Sequence, residues 1–307
     1  MRILVLGAGG TGGFFGGRLL EAGQDVTFLV RPRRGEQLRA DGLVLRSPFG
    51  DACLKAPYVE SAAGHYDLVI LSNKAYDLDA AMDAVAPAVE AGAAVLPLLN
   101  GMRHLDALDA RFGRERVLGG WCAVSATLDV DGTVRQLTKA QLLKFGERDG
   151  GTSARVEAIE AAMRGAKFEG QATPEIVQEM WAKWVALATL AGMTCLMRAS
   201  VGVIMDAPGG EAMTVGMYEE CARAATAYGF TPAGEASKLT RAALTQRGSS
   251  FTASMLRDVE SGGRTEADHI LGDLLLRAEA KGLGMPLLKI AYCHLKAYEL
   301  RREKKND

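Results

Sequence analysis

Ile3-Leu4-Val5-Leu6, then Gly7-Ala8-Gly9-Gly10-Thr11-Gly12, then Phe14 to Ala22 is the stretch that decides the fold. The apolar run reads as a buried strand and Phe14–Ala22 as the helix after it. Between them, G-x-G-x-x-G is a dinucleotide-binding turn. Gly7 permits the tight turn, Gly9 lets backbone approach a pyrophosphate, and Gly12 lets helix and strand pack closely. The pyrophosphate is expected on the helix N-terminus, where unpaired N–H groups and the dipole favour anions. Gly7, Ala8, Gly9, Gly10, Thr11 and Gly12 are therefore candidate cofactor-binding residues. The next candidate strand, Asp25 to Val30, ends at Arg31, with Arg33 and Arg34 close behind. A carboxylate at that place suits a ribose 2′-hydroxyl, whereas an arginine suits a 2′-phosphate. The expected cofactor is NADP, not NAD. The plainer alternatives are a glycine-rich turn that binds nothing and a solvated surface arginine.

Working outward, strand-like and helix-like segments alternate. Leu68 to Ser72 reads as a strand, Leu78 to Val89 as a helix, and Ala93 to Leu99 as a strand ending at Asn100-Gly101. That alternation predicts a parallel sheet covered by helices. From Trp121 the texture changes: Ala123 to Val130, Thr133 to Leu137 and Leu142 to Gly146 look like antiparallel strands. Asp131-Gly132 is a strong hairpin signal between the first two, and Ser153 to Arg164 reads as another helix. After Thr173, a plausible N-cap, and Pro174 at a first helical position, strand signals nearly vanish. Helical patterns follow over Glu175–Met197, Gly210–Tyr228, Pro232–Leu244, Glu266–Lys281 and Pro286–Lys304. The expected fold is α/β: a Rossmann-type dinucleotide-binding domain over residues 1–170, then an all-helical domain over 171–307. A cofactor at the strand C-terminal ends is expected to face the helical domain across a cleft for a small substrate.

Bulk properties narrow the classes. A chain of 307 residues can bury two substantial cores, and 48% hydrophobic with 24% charged residues is ordinary for a globular protein. A net charge of −1 gives no electrostatic case for nucleic acid or an acidic membrane surface. The five cysteines are scattered without C-x-x-C, which suits reduced thiols in a cytoplasm, and the four histidines show no metal-ligand spacing. The chain opens on its first strand at Arg2, so no signal peptide is expected. No apolar run approaches a membrane span, and the charged tail Arg301 to Asp307 reads as a fraying helix end.

Two ionisable residues fall in apolar stripes. At about 100° per residue, Ile176, Met180, Trp184, Leu187 and Ala191 share one helix face, and Lys183 lies between Met180 and Leu187 with Leu190 beside it. A desolvated lysine has a lowered pKa and could donate a proton near neutrality, as carbonyl reduction requires. The plain alternative is a lysine whose stem covers apolar surface while its head reaches water. Glu266 shares a face with Ile270 and Leu274, while Thr265 and Asp268 resemble a capping box. A first-turn acid suiting the helix dipole is the alternative there. Ser254 and Asp258 lie upstream on Phe251–Val259, by default a helix surface.

Taken in order, these pieces resemble the ketopantoate reductase (2-dehydropantoate 2-reductase) family across nearly the whole chain. The resemblance rests on Gly7 to Gly12, Arg31, Asn73-Lys74-Ala75, Asn100-Gly101, Trp181-Ala182-Lys183-Trp184, Ser254-Met255-Leu256-Arg257-Asp258 and Arg264-Thr265-Glu266. It implies an NADPH-dependent reductase of ketopantoate, as in pantothenate biosynthesis, and a homodimer as is common in the family. By the same resemblance, Arg31 holds the 2′-phosphate, Lys74 contacts the cofactor, and Asn100 stands where nicotinamide and substrate meet. Lys183 is the general acid, Glu266 orients it or the nascent hydroxyl, and Ser254 binds the substrate carboxylate. The chain departs from the family at Leu187, Ala191, Val201 and Leu271, where asparagine is usual, and at Leu99, often glutamine. These changes strip amides from the expected pocket, leaving a more apolar 2-oxo acid, or a non-catalytic NADP(H) sensor, as alternatives.

Overall fold

The structure, a computed structural model, describes residues 1–304. Lys305 to Asp307, the end of the charged tail, lie outside the described residues. The chain divides into two compact units: Met1–Leu99 with His104–Val177, and Asn100–Arg103 with the chain from Gln178 onward. A single cut near residue 170 differs from this in two ways. Ile176 is sealed and packs close to Gly146, which holds the start of its helix in the first unit. Gly101 lies against His269, which draws Asn100–Arg103 into the second.

The first unit runs β1 (Arg2–Leu6), α1 (Gly10–Glu21), β2 (Asp25–Leu29), α2 (Pro32–Asp41), β3 (Leu43–Arg46), β4 (Ala52–Leu54) and β5 (Tyr58–Val59). It continues through β6 (Leu68–Leu71), α3 (Leu78–Glu90), β7 (Ala94–Pro97), α4 (Arg103–Phe112), β8 (Gly119–Leu128), β9 (Val134–Gly146), α5 (Ala154–Met163) and β10 (Glu169–Ala172). One sheet has the order β5-β2-β1-β6-β7, and its pairings are parallel. Leu6 pairs with both Leu29 and Leu71, so β1, β2 and β6 end level with one another. β1 lies between β2 and β6, the point where the strand order reverses and where ligands of such sheets bind. Leu68 to Leu71 are all buried, the continuous apolar pattern of a strand covered on both faces.

A second sheet has the order β10-β9-β3-β4, with β8 paired to β9. The Asp131-Gly132 hairpin is present, with Leu128 opposite Val134. What reads in sequence as two short strands is one 13-residue strand, β9. The exposed stretch Leu137 to Ala140 interrupts the apolar pattern without breaking the strand. β9 also pairs in parallel with β3 and β10, partners that period-two alternation cannot reveal.

α1 explains the glycine density at the front of the chain. A β-carbon on Gly16 would press on Phe28 of β2 at 2.7 Å, and one on Gly17 on Leu43 of β3 at 2.8 Å. The helix thus packs against strands of both sheets at once. Gly12 is tightest: a β-carbon there would lie 2.3 Å from Ser72 Oγ and 2.4 Å from the Gly7 carbonyl oxygen.

The second unit holds most of α6 (Ile176–Met197), then α7 (Val201–Asp206), α8 (Gly210–Ala227), α9 (Gly234–Leu244), α10 (Ser254–Glu260), α11 (Asp273–Ala280) and α12 (Pro286–Glu303). A π-helical turn, Asp268–Gly272, leads into α11, so the segment expected to be one helix from Glu266 opens with a widened turn. The expected N-cap also differs: the Thr173 hydroxyl accepts from the Glu175 amide ahead of the helix, and α6 begins at Ile176. Its 22 residues, with mean hydropathy 1.3 over the apolar window, match a membrane span by length and composition, contrary to the reading of the sequence. That window is 67% buried within the protein. Trp181 stacks on Tyr228 and Phe230, and Trp184 is sealed beside it.

Gly12→Ala is expected to lower stability by about 1–3 kcal/mol, the usual range for an overpacked core site. The urea midpoint checks this; an unchanged midpoint would contradict the close packing at Gly12.

Candidate active site

The level ends of β1, β2 and β6 bring Gly7, Arg31 and Ser72 to one edge of the parallel sheet. Gly7 takes φ +85°, a left-handed conformation that favours glycine, and its amide donates to the Leu29 carbonyl at 2.9 Å. α1 begins at Gly10, with Gly9 as an N-cap that offers no side-chain bond to the first amides. A β-carbon on Gly9 would meet nothing within 4 Å. The turn therefore presents uncapped N–H groups to open space, as a pyrophosphate requires. Arg31 is exposed at the N-cap of α2, ahead of Pro32. Ser72 Oγ donates to the Leu6 carbonyl, and the Asn73 side-chain amide donates to the Lys74 carbonyl. Asn73 Oδ1 and Arg34 Nη2 are buried without a hydrogen-bond partner. The open, uncapped glycine turn, with the orphaned Asn73 Oδ1 just after β6, fits a dinucleotide. Arg34, close behind Arg31 in sequence, lies on this turn and was not among the candidate residues.

In the second unit, Lys183 and Asn100 come together although 83 positions apart: Lys183 Nζ donates to Asn100 Oδ1 at 3.0 Å. Lys183 is half-buried on α6, and its amine ends on an amide oxygen. Asn100 is held by its surroundings. Gly101 takes φ +76°, and a β-carbon there would lie 2.9 Å from the His269 carbonyl oxygen and 3.1 Å from its ring. The His269 ring also bonds the Asn100 backbone, and burial drives its pKa down to about 4, against a smaller opposing pull from Glu266. Trp184, next to Lys183, donates from Nε1 to the Ile270 carbonyl at 2.8 Å, fastening the π-helical turn to α6. His269 is a residue that sequence reasoning missed, since a histidine without metal spacing carries no local signal.

Glu266 is buried at the head of that turn, its carbonyl accepting from the His269 and Ile270 amides. The expected capping box is absent. Thr265 donates to Glu299 and accepts from the Ala267 amide, while Asp268 takes bonds from Tyr292 and Lys296 of α12. α12 therefore fixes both sides of Glu266. Ser254 opens α10 on an exposed position, and the Ala253 amide before it bonds Thr194 of α6. Of the four positions where asparagine was expected, Ala191, Val201 and Leu271 are 0%, 3% and 0% exposed. They fill core. Leu187, one turn beyond Lys183, is half-buried.

Because native His269 stays neutral down to about 4 while an unfolded histidine titrates near 6.5, the unfolded chain binds the extra proton between those values. Stability is thus expected to rise with pH through that window and to be complete above it, a contribution of about 3 kcal/mol. Urea unfolding from about pH 7 down to about pH 4.5 should weaken the wild type more than His269→Gln; parallel curves would refute this.

Comparisons with known proteins identify the family. A model of the family described as ketopantoate reductase PanE/ApbA matches residues 3–150, and that of its C-terminal part matches residues 175–299. The chain is 35% identical to the uncharacterized oxidoreductase YkpB of Bacillus subtilis, covering 98% of this chain and 100% of that protein. It is 31% identical to a 2-dehydropantoate 2-reductase of Archaeoglobus fulgidus, covering 92% of each. The crystal structure of 2-dehydropantoate 2-reductase from Geobacter metallireducens superposes with a TM-score of 0.88 at 26% identity, covering 97% of this chain and 99% of that one. With both halves of the chain matched, the protein is an oxidoreductase and belongs to the ketopantoate reductase family.

Proposed function

We propose that the protein reduces the carbonyl of a small 2-oxo acid to the 2-hydroxy acid with NADPH, ketopantoate to pantoate being the family reaction. The observation that carries this is the 3.0 Å bond between Lys183 Nζ and Asn100 Oδ1. It fixes the direction of a half-buried amine beside an amide oxygen. Bound NADPH supplies the hydride. Lys183 stabilises negative charge as it develops on the carbonyl oxygen and then gives up a proton to it. Glu266 orients that amine or the new hydroxyl, and Ser254 receives the substrate carboxylate. Asn100 holds Lys183 in place. Gly7 to Gly12 take the pyrophosphate, with Lys74 beside them, and Arg31 takes the 2′-phosphate.

Leu187 supports a second reading with the same mechanism. An apolar side chain one turn from the amine has no hydrogen bond for the hydroxyl that ketopantoate carries, and sites lacking such partners discriminate poorly for hydroxylated substrates. A bulkier apolar 2-oxo acid is then the better substrate. NADPH oxidation across a panel of 2-oxo acids separates these readings: the higher kcat/KM identifies the substrate, and tight NADPH binding without turnover on any acid means a sensor.

Lys183→Ala is expected to cut kcat by about 10²–10⁴-fold while NADPH affinity stays near wild type. Near-normal turnover would remove Lys183 from the chemistry. Arg31→Asp is expected to weaken NADPH relative to NADH by about ten- to a hundredfold, read from the two dissociation constants. An unchanged preference would refute the 2′-phosphate role.

A further inference from the structure

Arg34 reaches out of α2 onto the glycine turn, and its Nε donates to the Ala8 carbonyl oxygen at 3.1 Å. Its Nη1 donates to Gln37 Oε1 at 3.2 Å, and Nη2 is buried with no partner. Both acceptors are neutral, so the guanidinium keeps its full charge. The β8–β9 hairpin closes over it: a β-carbon on Gly132 would come within 2.7 Å of Nη1. Desolvation holds the Arg34 pKa below the usual arginine value. Burying an uncompensated, incompletely bonded cation is costly.

The bond to Ala8 has a directional consequence. Among the described residues there are no cis peptides, and in a planar trans peptide the carbonyl and the following N–H point opposite ways. Drawing the Ala8 carbonyl toward Arg34 therefore turns the Gly9 N–H away from it. Gly9 borders open space, and its helix-capping role is filled by no side chain. Because Nη2 is covered, Arg34 acts from behind the turn and does not touch the ligand.

We propose that Arg34 is a positioning residue for the dinucleotide pyrophosphate: it locks the Ala8–Gly9 peptide with its N–H outward and backs the turn with a buried positive charge. This rests on the nicotinamide dinucleotide reading, but it assigns Arg34 a duty separate from that of Arg31. NADPH and NADH share the pyrophosphate and differ in the 2′-phosphate. Loss of Arg34 should therefore weaken both alike, by about tenfold for a lost charge-assisted arrangement.

The test is the dissociation constant of each nucleotide, measured by quenching of protein fluorescence for wild type, Arg34→Met and Arg34→Lys. Expected are an equal loss for both nucleotides in Arg34→Met, partial recovery in Arg34→Lys, and a shallower salt dependence of NADH binding in Arg34→Met than in wild type. Unchanged affinities overturn the proposal and leave Arg34 a structural tie. A loss confined to NADPH also overturns it, making Arg34 a 2′-phosphate ligand. Should Arg34→Met fail to fold, Arg34→Lys decides by itself: a fall in NADPH affinity alone refutes the proposal, and an equal fall in both supports it. Wild-type protein that binds neither nucleotide refutes the dinucleotide reading and this proposal with it.

Discussion

An ammonium on a helix packed in apolar surroundings must find oxygen, and much of the second unit is arranged around that need. α6 carries Lys183 between residues sealed in the core, Met180 and Trp184 among them. Partial burial weakens hydration of the amine, so a fixed acceptor is needed to direct it. Asn100 is that acceptor. It can serve only because Gly101 adopts a left-handed backbone and the neutral His269 ring fills the space beneath. The π-helical turn that carries His269 is fastened in turn to α6 through Trp184. Lysine, asparagine, histidine and tryptophan thus support one another in a closed circuit, and Glu266 sits at its edge.

Under the proposed function the first unit faces a different problem: offering bare backbone to an anion without leaving the turn loose. Glycine at Gly7 and Gly9 frees the approach, while glycine at Gly12 lets α1 press onto β1 and β6 so that the turn cannot shift. Arg34 adds a bond to the one carbonyl whose direction sets the next N–H. Gly16 and Gly17, deeper in α1, serve packing against both sheets. Glycine-rich sequence here therefore has two causes, and a substitution at Gly16 or Gly17 would be felt as strain in the core.

The departures from the family pattern also divide by environment. Ala191, Val201 and Leu271 replace expected amides with side chains that seal the core of the helical unit, so they consolidate packing. Leu187, one turn beyond Lys183, is half-buried and not sealed in this way. A buried amide left without partners costs more than its removal; trading amides for aliphatic side chains together avoids that cost.

Elements and chemistry carried by local pattern were legible in the sequence. The β1–α1–β2 unit, the turn Gly7 to Gly12, Arg31 after the second strand, the Asp131-Gly132 hairpin and the long helix bearing Lys183 all follow from periodicity and turn chemistry within a few residues. Periodicity says which face of a segment is buried but not what it is buried against. The pairing of Lys183 with Asn100, the ring of His269 under Gly101, Arg34 on Ala8, the second sheet and the widened turn after Glu266 each join residues tens of positions apart or strain a local rule. Close packing in three dimensions decided those, because a half-buried charge or a glycine without room for a β-carbon takes its meaning from the neighbour that the rest of the chain delivers to it.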